Sequence, residues 1–148
     1  MKGLLTTAVV ACLLSGCAEN GADALETSRD QNDSTQASLS AGEVTVLVSK
    51  PAGAGMEALG GGRLEVLSGC LGASGSVIVW PHGTEVVKEE PLIIDVPNYG
   101  TFALDDEVQV SGGYVLEHSS NDVEPGDYQA GGVTVPADCA RHDIFVAN

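Results

Sequence analysis

The chain has 148 residues, with 21 acidic against 6 basic side chains and a formal net charge of −15. Nucleic acids and anionic lipid headgroups are bound largely through Lys and Arg, so this balance argues against either as a partner. It is compatible with a cationic protein or small ligand, with calcium, or with solubility in a salty environment alone.

At the N-terminus, Lys2 precedes residues 4–14, a run that is apolar apart from Thr6 and Thr7 and ends in the small residues Ser15 and Gly16. This is the layout of an export signal, and about 11 apolar residues fall well short of the roughly 20 that a membrane-crossing helix needs. Residues 1–16 are therefore expected to be removed and to take no part in the fold.

Leu14-Ser15-Gly16-Cys17 resembles the lipobox of bacterial lipoproteins, in which small residues precede a cysteine that becomes the first mature residue. The resemblance implies that Cys17 carries a diacylglycerol through a thioether, with fatty acyl chains such as palmitate. Two chains anchor stably where one holds only marginally, at about 0.8 kcal/mol per buried methylene. The expected location is the extracytoplasmic side of the cell envelope, on the outer membrane if the organism has one.

Residues 18–42 are rich in Ser, Thr, Asp, Gln, Asn and Ala, with Leu25 and Leu39 as the only large apolar side chains. Such a segment buries too little to offset its ordering entropy, so residues 17–42 read as a lipidated cysteine and a disordered tether. The tether would span roughly 25–30 Å.

Residues 43–148 suffice for one domain with one core. Their apolar pattern is short and alternating, without the spacing of a substantial helix. Strands are predicted over 43–49, 63–71, 76–80, 85–87, 92–96, 101–104, 107–111, 114–117, 132–135 and 143–146. Pro81-His82-Gly83, Pro97-Asn98-Tyr99-Gly100, Gly112-Gly113 and Pro125-Gly126-Asp127 supply turn chemistry between them. Gly53-Ala54-Gly55 and Gly60-Gly61-Gly62 lack the Lys-Ser/Thr of a phosphate loop and predict a mobile loop. The expectation is an all-β domain, either a small barrel or a sandwich.

LSGC occurs again as Leu67-Ser68-Gly69-Cys70, here after the alternating segment Arg63-Leu64-Glu65-Val66 and without an apolar run upstream. Cys70 thus belongs to the folded domain. Cys12 leaves with the signal and Cys17 is consumed by lipid, so a Cys70–Cys139 disulfide is expected in an oxidising compartment. Zinc is the rival at the same residues, with Cys70, His82, Cys139 and His142 as a tetrahedral set. Blue copper is rejected because no methionine follows His142. No cofactor is expected.

Residues 62–71 and 77–84, with Gly69-Cys70-Leu71 followed by Trp80-Pro81-His82-Gly83-Thr84, resemble a pattern of small bacterial lipoproteins. The segment from Leu104 to Gly113 is similar to the strand entry of OB-like barrels. Together these resemblances imply a compact β-barrel and bring no catalytic residues.

Catalytic patterns are weak. Gly72-Ala73-Ser74-Gly75-Ser76 lacks the second glycine of a nucleophile elbow and reads as a hairpin loop. Asp105-Asp106-Glu107 and the group Asn121, Asp122, Glu124 and Asp127 read as solvated turns, and the second fits no EF-hand spacing. Trp80 alternates in phase with Ile78, which favours the core over a ligand face shared with Tyr114. The expected protein is a lipid-anchored envelope lipoprotein whose β-domain binds or assembles rather than catalyses. The alternative is a metal-binding or hydrolytic envelope enzyme.

Overall fold

The computed structural model describes residues 38–51, 55–120, 122, 124 and 126–148. The signal, Cys17 and most of the expected tether lie outside them. Twelve strands and one 3₁₀ turn follow in order: β1 (Ser38–Ala41), β2 (Val44–Val48), β3 (Ala58–Leu67), β4 (Cys70–Ala73), β5 (Ser76–Trp80), β6 (Glu85–Lys88), β7 (Ile93–Val96), β8 (Gly100–Ala103), β9 (Glu107–Leu116), β10 (Tyr128–Ala130), β11 (Val133–Val135), the turn Cys139–Arg141, and β12 (Asp143–Ala147). The all-β expectation is met.

The main sheet runs β1-β2-β4-β3-β9-β12-β5, and β5 also pairs with β2 and β4, so the sheet curls back on itself in the manner of a barrel. Strand β5 lies parallel to both β2 and β12, with Leu47 opposite Val79 and Ile144 opposite Val77. Parallel strands of this kind are covered on both faces, which explains why Val77-Ile78-Val79-Trp80 is an unbroken apolar run. Val46, Val48, Ile78, Trp80 and Phe145 face one buried cluster, completed by Ile94 and Val96 of the small sheet β6-β7-β8. Leu47, Val77, Val79 and Ile144 face a second, closed by the β10–β11 hairpin and the 3₁₀ turn.

Four departures from the sequence reading have identifiable causes. The expected strand over 63–71 is a hairpin, because Ser68 and Gly69 adopt φ of 49° and 86° and turn the chain between the paired residues Leu67 and Cys70. Two residues of positive φ are what a tight hairpin requires. The same device recurs at Ser74-Gly75, where a hairpin loop was expected.

Gly112-Gly113 is not a turn but lies within β9. A side chain at Gly112 would strike the Val146 carbonyl and the Phe145 ring, and one at Gly113 would strike Met56, so the glycines mark close packing. Likewise Gly60-Gly61-Gly62 is no loop: it pairs with Val110, Gln109 and Val108 across β3 and β9. Finally, the domain starts before Glu43. Strand β1 pairs Ser38–Ala41 with β2, and Ala41 and Leu39 pack against the first cluster, which offsets the ordering cost of residues assigned to the tether.

Candidate functional site

Cys70 and Cys139 form a disulfide, S–S 2.09 Å and Cα–Cα 5.9 Å. It ties the first residue of β4 to the 3₁₀ turn before β12, and His142 Nε2 lies 3.0 Å from Ser68 Oγ beside it. The second LSGC is therefore a hairpin whose cysteine is a cross-link.

The zinc alternative does not assemble. Both thiols are oxidised, and Asp143 pairs with Ser76, so His142 sits at the start of β5 while His82 follows its far end. Four strand steps of about 3.3 Å, and the residues beyond, separate the two imidazoles' backbone positions. Among the described residues, no three His, Cys, Asp or Glu side chains form a metal-holding group.

The remaining titratable groups are dispersed. His118 Nδ1 lies 3.2 Å from Asp143 Oδ1, which also accepts the His118 main-chain N–H at 2.9 Å. Asp106 accepts from Ala103 N at 2.8 Å and so fixes its own turn, and Asp127 accepts from Ala137 N at 2.9 Å across the base of the β10–β11 hairpin. Arg63 Nη1 approaches Asp105 Oδ1 at 3.8 Å, an exposed pair of little energetic weight.

His82 lies in a cleft of about 810 Å³ where β2, β5 and β12 end, lined also by Ser49, Met56, Pro97, Asn98 and Asn148. Ser49 and His82 share this cleft, yet no hydrogen bond joins them and, among the described residues, no Asp or Glu side chain lines it. A serine nucleophile needs a hydrogen-bonded base that is itself oriented by a third group. Neither condition is met.

Trp80 is completely buried, so it does not contribute to a ligand face, and its Nε1 is the one buried side-chain polar atom without a hydrogen-bond partner among the described residues. Tyr114 fares differently. It is 41% exposed and stands edge-on to Phe145, with ring centroids 5.1 Å apart.

Around Tyr114 the structure gathers residues that the sequence did not single out. Leu59 is 68% exposed and Met56 46% exposed. Pairing of Ala58 with Gly112 and Leu59 with Ser111 sets the start of β3 against the end of β9, and Met56 packs on Gly113. Leu59, Tyr114, Gln109 and Glu107 line a groove of about 510 Å³ whose remaining lining includes the glycines at 60–62. Those glycines were the available signal: a Cβ at Gly60 would strike the Phe145 ring, at Gly61 the Val108 carbonyl and at Gly62 the Ser74 hydroxyl, so three in a row inside a strand mark close approach of their neighbours.

Comparison with protein-family models, with curated proteins and with solved structures gives no match.

Proposed function

We propose that this is a lipid-anchored lipoprotein of the cell envelope, held through Cys17, whose β-domain binds a partner rather than catalysing a reaction. The observation that carries the binding role is a contrast in distribution. Among the described residues, histidines and carboxylates are spread over separate turns and strands and form no group of three, whereas three of the five exposed large apolar side chains, Met56, Leu59 and Tyr114, gather at one end of the β3–β9 pair. Exposed apolar side chains gathered in this way mark interaction surfaces. The disulfide supports export, since such bonds persist in oxidising compartments.

Two measurements test the proposal. A photo-crosslinking residue in place of Leu59 should capture an envelope component in intact cells, and one in place of Val87, exposed elsewhere, should not. Equal capture from both positions would remove the argument for this surface. The anchor is tested separately: Cys17→Ala should leave the membrane fraction or persist as precursor. A native mature protein that begins elsewhere without acyl chains would refute it.

A further inference from the structure

Three parallel strands, β2, β5 and β12, end at one cleft. Ser49, Pro81, His82 and Asn148 at their ends line this cavity of about 810 Å³, together with Pro97 and Asn98 of the β7–β8 turn. Its size is that of a small-molecule site, roughly 300–1,000 Å³. Hydrogen bonds fix the walls. The Asn148 side-chain amide donates to the Met56 carbonyl at 3.0 Å, and the Asn148 main-chain oxygen accepts from the Tyr99 hydroxyl at 2.9 Å. That hydroxyl accepts in turn from Ser111 N at 3.0 Å. The segment before β3, the β7–β8 turn and the end of β12 are thereby tied to β9, which lowers the ordering cost of binding between them.

The lining divides by chemistry. Met56, Pro81, Pro97, Val146 and Ala147 supply apolar wall, whereas Ser49, His82 and Asn98 supply hydrogen-bonding groups. Among the described residues, no Asp, Glu, Lys or Arg side chain lines the cleft. Ser49 is only 8% exposed, and its hydroxyl has no hydrogen-bond partner among them. A buried hydroxyl of this kind takes its partner from water or a ligand. We infer that the cleft binds an uncharged small molecule with an apolar body and one hydrogen-bonding group. The body lies against Met56, Pro97 and Val146, and the polar group meets Ser49 or His82. A charged ligand would lose hydration without gaining a side chain of opposite sign. The 16 acidic against 4 basic side chains of residues 43–148 also repel anions. This site goes beyond the binding surface beside Leu59, with which it shares only Met56.

The test uses the full chain carrying Cys17→Ala, which removes acyl chains that would themselves take up an apolar dye. The probe is N-phenylnaphthylamine, an uncharged dye with one N–H that fluoresces in apolar surroundings. Its emission should rise saturably, at one site per chain. Anilinonaphthalene sulfonate, the same skeleton with a negative charge, should bind about tenfold more weakly. Met56→Glu should weaken binding of the uncharged dye about tenfold by setting a charge on the apolar wall. Ser49→Ala should weaken it about threefold through the lost hydrogen-bond acceptor. Leu59→Glu, exposed and outside the cleft, should leave it unchanged. Met56 is itself exposed, and an unchanged urea midpoint confirms that each variant is folded. No saturable rise, equal affinity for the sulfonate, indifference to either cleft substitution, or an equal loss with Leu59→Glu would overturn the inference. None of these outcomes bears on photo-crosslinking through Leu59, so the two readings fail separately.

Discussion

A single added methyl group distinguishes two ways in which glycine is used here. At Gly112 a Cβ would strike the Val146 carbonyl and the Phe145 ring, so the glycine is required by neighbouring atoms. At Gly75 there is open space, but φ is +82°, so the glycine is required by its own backbone. Gly75→Ala should cost about 1 kcal/mol, the penalty of a left-handed alanine. Gly112→Ala should cost about 3 kcal/mol, the upper range for overpacking, because the obstacle is main chain and a buried ring. Urea midpoints of the two variants check the order. Equal losses would mean that β9 and β12 separate easily enough to absorb the methyl.

At the scale of elements, the disulfide is the longest covalent constraint in the domain. It joins residues 69 apart in sequence and, in the chain-entropy account, stabilises by about 4 kcal/mol. Replacing Cys70 and Cys139 together by Ala should lower the unfolding free energy by a comparable amount. Reductant should lower the wild-type midpoint towards that of the double variant and leave the variant's own midpoint unchanged. Elements were also where the sequence was legible to differing degrees. Strands β5 and β7 were readable because continuous or alternating apolar residues report burial directly. The cysteine pairing followed from elimination. The β3–β4 hairpin, the continuity of β9 and the strand at residues 60–62 were not readable, because a glycine or Ser-Gly pair has the same letters whether it turns the chain or lets a distant Phe145 approach. Tyr114 was visible as a candidate, and Gln109 and Glu107 share its strand, but Leu59 comes to β9 only through the β3–β9 register, a long-range pairing that local periodicity does not encode.

For the whole molecule, the position of β1 has a mechanical consequence. The chain from the N-terminal side enters the domain at this strand, which pairs only with β2. A pull from that side therefore loads Ser38–Leu47 first, then Leu39–Val46, Ser40–Thr45 and Ala41–Val44, one after another rather than together. Beyond Val44 the load reaches β2, which also pairs with β4 and β5 and is buried towards both clusters. In single-molecule pulling between the N-terminus and Asn148, a small low-force extension of about 13 Å, from the four residues of β1, should precede rupture of the main sheet. A single rupture with no such step would show that β1 yields only with the domain. Strand β1 would thus act as a shock absorber, yielding under tension while the main sheet keeps its shape.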